Sequence, residues 1–428
     1  MMRKKVLTTS LVMIFMLSLI PISHAADVNI VILVSDNEAD STLADSVANI
    51  INAYAVIKVP WGIYNPNYSA EVLKYAPDKV IIIGGPTAVP IDYEKDLEEM
   101  DIPFERWYGR NRYETNLVVV QKLKEEFPEE FSQIETVYIV HGRDVLSMLM
   151  QRWLDALPNV AEYKSIWVFT GEGYENLSLQ ILDEILEASQ RRPWVEVIVT
   201  SRWIQLEHKK VPKPLFNINT DEIANFLRKK GYEVTVGNYT RGTYFTIKYA
   251  GTVGQVVLET LKLVDNKTQV AENFLDGLDI PEAKKRLNMA KEQITKAWKL
   301  YSLGNYQEAY LLAVAANRNA DFVISMSAKE WNKIAQMSLN YALNREVLRL
   351  EARINALKIL GINTESVEEV LAEIKLAIKS KNYSKALKLI KEAKEELREM
   401  FINEKRRLPQ VPPDHREERG RHAENPRP

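Results

Sequence analysis

The sequence predicts an α/β fold of tandem parallel-sheet units followed by an all-α, C-terminal bundle of helical hairpins. Three observations carry this prediction. Between Asn29 and about Thr200, short β-branched runs alternate with amphipathic helical stretches, as in a parallel sheet covered on both faces. From about Val270 to Leu408 no strand pattern remains, and Leu287, Ala290, Ile294, Ala297 and Tyr301 fall at helical spacing, as do Trp331, Ala335, Leu339 and Ala342. Within that helical part the phrase Asn-Tyr-x-x-Ala occurs twice.

Taken in order, residues 1–26 read as an export leader. Arg3, Lys4 and Lys5 precede an apolar stretch from Val6 to Ile20, then Pro21 and Ser23-His24-Ala25. A basic start, a core short for a bilayer and small residues at alternate positions predict cleavage near Ala25 or Ala26, with the rest of the chain secreted or associated with the cell envelope. The strands expected next are "VNIVILVS", "KVIIIGG", "ETVYIVHG", "SIWVFTG" and "VEVIVTS". They divide into a first α/β unit over 27–105 and a second over 106–236. Residues 237–268 read as a β-rich or mixed connector, 269–407 as a helical domain and 408–428, rich in proline and charge, as a disordered tail. In the helical domain "GNYQEAYLLAVAANRNA" from Gly304 matches "KNYSKALKLIKEAKEEL" from Lys381. A small turn, a packed aromatic and a close-approach alanine make an antiparallel hairpin, and the pattern resembles the tetratricopeptide type.

Composition bounds the function. Of 428 residues, 46% are hydrophobic and 27% charged with a net charge of -2, which gives no bulk attraction to nucleic acid or anionic membranes. The absence of cysteine removes both a disulfide framework and a thiol nucleophile. Past the leader no run approaches a transmembrane span.

"LVSDNEADSTLADSVANIINAY", "KVIIIGGPTAVP" and "RWYGRNRYETN" occur in that order. With Asp40 on the first loop and Gly84, Gly85, Gly109, Arg112, Tyr113, Glu114 and Thr115 in place, this order resembles the cell wall binding repeat 2 family of microbial surface proteins. A second, worn unit starts at "VYIVHGRDVLSMLM" with Gly142 and Asp144 kept. Ser147 stands where Asp40 stood, and Thr200-Ser201 replace the double glycine. The resemblance covers about Asp27 to Glu233. It implies Rossmann/Toprim-like tandem units that hold a protein on an anionic wall polymer. Family members resemble arrangements of three units, and here there is one full unit and one degenerate one.

The physical reading of the motif separates two roles. Asn111 followed by Glu114 is a capping-box pattern, Gly109 fits a tight turn and Tyr113 a packed aromatic. Neither a cap nor a turn requires arginine. Arg110 and Arg112 beside a helix N-terminus would form an anion-binding corner for phosphate, carboxylate or uronate. Arg110, Arg112, Tyr113 and Asp40 are therefore the candidate ligand-binding residues.

Other chemistry is thin. None of His24, His141, His208, His415 and His422 has zinc-ligand spacing. "IIIGGPTAV" lacks the phosphate-loop signatures, so no cofactor is expected. Asp40 and Asp144 read as paired strand-end carboxylates or, more simply, as residues that cap the helices following them. Asn67, Asn176, Asn238, Asn266 and Asn382 head glycosylation sequons. The expectation is a non-enzymatic cell-surface protein whose α/β units bind an envelope polymer or surface-layer component, with a helical domain for docking a protein partner. A secreted hydrolase using strand-end carboxylates, and a scaffold acting through the helical domain alone, remain as alternatives.

Overall fold

The computed structural model describes residues 28–149, 163–206, 209–236, 245–250, 254–337 and 339–406. The leader at 1–26, His208, the sequon at Asn238 and the tail at 408–428 lie outside the described residues. The architecture is α/β in its N-terminal part and all-α in its C-terminal part.

The first sheet has β1 (Ile30–Ser35), β2 (Ala55–Val59), β3 (Lys79–Ile83) and β4 (Phe104–Trp107) in the parallel order β2-β1-β3-β4. Every residue of β1 is buried, because a continuous apolar run needs cover on both faces. That cover comes from α1 (Glu38–Ile51), α2 (Pro66–Lys74) and α3 (Asp92–Glu99), together with helices from both neighbouring parts of the chain. Asn37 and Asn65 start α1 and α2 by accepting backbone N–H bonds at 3.1 Å and 3.0 Å.

After β4 come α4 (Arg112–Glu126) and the short α5 (Pro128–Phe131). The second sheet contains β5 (Thr136–His141), β6 (Ser165–Thr170), β7 (Trp194–Leu206), β9 (Val234–Val236) and β10 (Phe245–Ala250), parallel in the order β6-β5-β7-β10-β9. β8 (Lys209–Pro214) folds back antiparallel on the end of β7. Helices α6 (Glu175–Ala188) and α7 (Thr220–Lys229) complete the unit. One core runs from Ile32 and Val34 of β1, through Leu43 of α1 and Leu123 of α4, to Val168 of β6. The helices α1 and α4 are thus shared by the two sheets. β4 crosses the sequence division at 105/106, and the second sheet continues past 236 to β10.

The helices begin at Gly254, inside the stretch read as a connector: α8 (Gly254–Leu275), α9 (Pro281–Ser302), α10 (Tyr306–Met337), α11 (Leu339–Ile359), α12 (Glu365–Lys379) and α13 (Tyr383–Lys405). Val257, Leu261 and Val264 of α8 are β-branched or branched residues that also fit a strand, but their 3–4 residue spacing buries one helical face. Both copies of the repeated phrase turn as expected. Gly304 and Lys381 have φ of 75° and 58°, and Ala309 and Ala386 are fully buried.

The helices divide between two packing partners. α8, α9 and α10 pack on one another and on the loop after β5, where the Leu146 N–H donates to Tyr310 Oη at 2.8 Å. In contrast α11, α12 and α13 share a core with α2, α3 and the other face of β1, joining Leu350 and Leu397 to Val31 and Leu33. A buried ion network locks this second contact. Arg349 reaches Asp92 at 2.9 Å, and Arg353 reaches Asp96 at 3.0 Å and Glu99 at 2.7 Å. Among the described residues no helix is long and apolar enough to cross a membrane.

Candidate functional site

The segment from Gly109 to Glu114 joins β4 to α4. Asn111 Oδ1 accepts from the Tyr113 and Glu114 N–H groups at 3.0 Å and 3.1 Å, so Asn111 caps the helix. The Glu114 carboxylate reaches back to the Arg110 N–H at 3.0 Å, one residue before the cap. It also takes the Arg110 guanidinium, with Nη2 at 2.8 Å, and this neighbour holds Glu114 below the usual carboxylate range. The backbone N–H it takes is that of Arg110 rather than Asn111, and the fit at Gly109 is close enough that a Cβ there would lie 2.3 Å from Glu114 Cβ. The Gly109 N–H donates to Thr115 Oγ1 at 3.0 Å.

The two arginines of the motif are separated by this geometry. Arg110, with its side chain 90% exposed, is engaged by Glu114. Arg112 turns toward the strand ends of the second sheet, where Nη1 donates to the Gly142 carbonyl at 2.5 Å. Tyr113 follows it inward. Its ring stacks on Tyr174 with centroids 4.0 Å apart, and a Cβ at Gly142 or Gly171 would come within 2.7 Å of it. Both glycines are therefore needed to seat this tyrosine, whose phenol is pushed up by burial.

Arg112 meets two arginines that the motif does not contain. Arg143 follows Gly142 after β5, and Arg318 comes from α10. The positive charges of all three act on His141, the last residue of β5. Burial, then Arg143, Arg112 and Arg318, lower its pKa from 6.5 to about 4, so its imidazole is neutral at neutral pH. Burial and then Arg143 and Arg112 also lower the pKa of Arg318. His141 is fixed between them, its Nδ1 accepting the Arg143 N–H at 3.1 Å and its ring 4.9 Å from that of Phe216. Among the described residues none of these three guanidinium groups sits at ion-pair distance from a carboxylate. Like charges that repel one another around a neutral imidazole are a configuration that an anion stabilises.

Asp40 lies on the first sheet's side of the same region. It is the third residue of α1 and accepts from Ser35 Oγ at 3.1 Å, and the Gly84 backbone, at φ 116°, passes so close that a Cβ there would be 3.4 Å from its Oδ2. Burial pushes its carboxyl up to about 6, against the opposite pull of Arg112 and Ser35. Ser147 is the third residue of the helical turn after β5, the position that Asp40 holds in α1. Asp144 is buried and accepts from Ser147 N and Oγ at 3.1 Å and 2.7 Å and from Thr200 N at 3.3 Å. It ties β5 to β7 from within. Gly85 lies under Tyr108, with a Cβ there 3.3 Å from the ring.

A charged cluster links two of the C-terminal helices to the loop after β1. Lys267 of α8 pairs with Asp321 of α10 at 3.1 Å and lies 4.0 Å from Asp36. Glu38 beside them has its carboxyl raised by burial, against the pull of Lys267. Among the described residues no group of three or more His, Asp or Glu could hold a metal ion.

Sequence reasoning reached Arg112 and missed Arg143 and Arg318. Arg143 carried a signal, since it follows the strand-end glycine of the worn unit. Arg318 carried none, being one charge on a long helix. Of the described sequons, Asn67, Asn176, Asn266 and Asn382 are all exposed. Their hydroxyl partners differ: Ser69 donates to Asp96, Ser178 to Thr170 and Thr268 to Val264, all three buried, whereas Ser384 is exposed.

No family model matches the chain. An uncharacterized protein of Methanocaldococcus jannaschii is similar to it, 46% identical over 129 residues, which are 30% of this chain and 36% of that protein. The chain thus spans about a third of the length of the curated relative it matches. Among solved structures, Cwp6 from Clostridium difficile is similar with a TM-score of 0.30 and 16% identity, over 40% of this chain and 25% of that one.

Proposed function

We propose that this chain is a non-catalytic, exported cell-surface protein that holds an anionic envelope polymer on Arg112, Arg143 and Arg318. The observation that carries the reading is that Arg112 reaches the Gly142 carbonyl beside Arg143 at the strand ends, where these two and Arg318, without a carboxylate at ion-pair distance among the described residues, act together on the neutral His141. The ends of parallel strands are where open α/β sheets receive ligands. The order of strand, double glycine and Gly-x-x-Arg-Tyr-Glu-Thr supports the same reading through its resemblance to cell wall binding repeats. Arg318 brings the helical part into the site, so the bundle acts here as a wall of the binding region as well as a surface for a protein partner.

The reading is tested with an Arg143→Gln/Arg318→Gln double variant, which keeps long polar side chains at two exposed positions. Sedimentation with envelopes from the native cell, and binding to inorganic polyphosphate, should weaken at least fivefold. The remaining binding should lose much of its dependence on salt. Binding equal to the parent at every ionic strength would remove the arginine cluster as the ligand site.

A further inference from the structure

A cavity lies away from the arginine cluster, between the first α/β unit and the helices. It has a volume of about 280 Å³ and is lined in part by Tyr64, Asp92, Phe274, Trp331, Tyr341 and Arg345. We infer that it binds one uncharged pyranose unit of a glycan. The inference stands independently of the anion site.

Three features select this ligand. The volume lies just below that of sites for drug-sized molecules, so it suits a single sugar ring. Its walls are aromatic, with the rings of Trp331 and Tyr341 near parallel at 8° and 6.2 Å between centroids. Flat ring faces pack against the C–H-bearing faces of a pyranose. The two charged lining groups pair with each other, Arg345 Nη2 with Asp92 Oδ2 at 3.0 Å, and the other Asp92 oxygen is held by Arg349 at 2.9 Å. A net cation or anion gains little from such a pair, and a zwitterion would have to split it. A ring of hydroxyl groups, which both donate and accept, can bond to the remaining lone pairs of Asp92 without breaking these ion pairs.

The walls are also held in place before any ligand arrives. The guanidinium groups of Arg345 and Arg349 each lie 4.9 Å from the centre of the Tyr64 ring. Tyr64 Oη donates to Asp96 at 2.5 Å, and Trp331 Nε1 donates to the Phe274 carbonyl at 2.9 Å. A fixed wall avoids the ordering cost that weakens binding to flexible surfaces.

The test is saturation-transfer NMR on the full chain with methyl α-mannoside, methyl β-glucoside, methyl β-galactoside and N-acetylglucosamine, against glucuronate and phenylalanine as charged and zwitterionic controls. At least one uncharged pyranoside should receive saturable transfer to its ring protons. Tyr341→Ala, on the exposed rim, should cut that signal at least fivefold, and Trp331→Phe should cut it less because an aromatic wall remains. The Arg143→Gln/Arg318→Gln variant should keep it, which separates this site from the polymer site. Absence of transfer from all four sugars, full transfer in Tyr341→Ala, or preferential binding of either control would overturn the inference.

Discussion

The state of His141 offers a direct reading of the arginine cluster. Its imidazole is expected to titrate near pH 4, against 6.5 when unperturbed. The unfolded chain then takes up a proton that the native chain refuses, so stability is highest above pH 6.5 and is lost as pH falls toward 4. By linkage the loss from this one group is at most about 3 kcal/mol. Burial is the largest cause and the arginines follow it. Removing two of them in Arg143→Gln/Arg318→Gln should therefore raise the imidazole from about 4 but leave it below 6.5, since burial remains. A bound anion acts in the same direction by cancelling the positive field, so inorganic polyphosphate should raise His141 in the parent and have less effect in the double variant. The assay is a histidine-detected NMR titration, with the His141 resonance assigned by His141→Gln. Titration near 6.5 in the unliganded parent would refute the argument, as would a value that ignores both the double substitution and polyphosphate.

Three further outcomes are expected. Arg353→Met should destabilise the chain by about 3 kcal/mol in denaturant melts, because the buried Asp96 then keeps only Arg349, at 3.4 Å, and Glu99 only Lys394; adding Asp96→Asn should restore part of the loss. Asn111→Ala removes the acceptor for two N–H groups at the start of α4 and should lose about 1 kcal/mol in the same melts, while Asn111→Ser should lose less. Lys381→Gly relieves a left-handed residue at φ 58° that the first repeat copy fills with Gly304, and should raise stability by about 0.5–1 kcal/mol; a lower melting temperature would count against that reading of the turn.

The strands, the helix start at Asn111 and the small-residue turns were legible in the sequence because each depends on neighbours a few positions away. Periodicity chose the sheet, a polar side chain met its own helix's N–H groups, and glycine marked close approaches such as Gly109 against Glu114. The start of α8 was less clear, since the valines from Val256 to Val264 suit a strand as well as a helix and only packing on α10 decided between them. The site was half legible for the same reason. Arg112 stood out beside a local cap, but its separation from Arg110 depended on which partner each found, Glu114 four residues on for one and Gly142 in the next sheet for the other.

By itself the sequence determined an α/β part, a helical part and the local chemistry of their turns, because these follow from backbone propensity and side-chain period. The tertiary structure alone decided that Arg318 feels the charges of Arg112 and Arg143, and that Arg349 and Arg353 return to Asp92 and Asp96. Charges far apart along the chain have no local pattern to announce their meeting. They are brought together by the burial of apolar faces elsewhere, on β1, α2 and α10, which fixes where the helices lie before any ion pair or anion site can form.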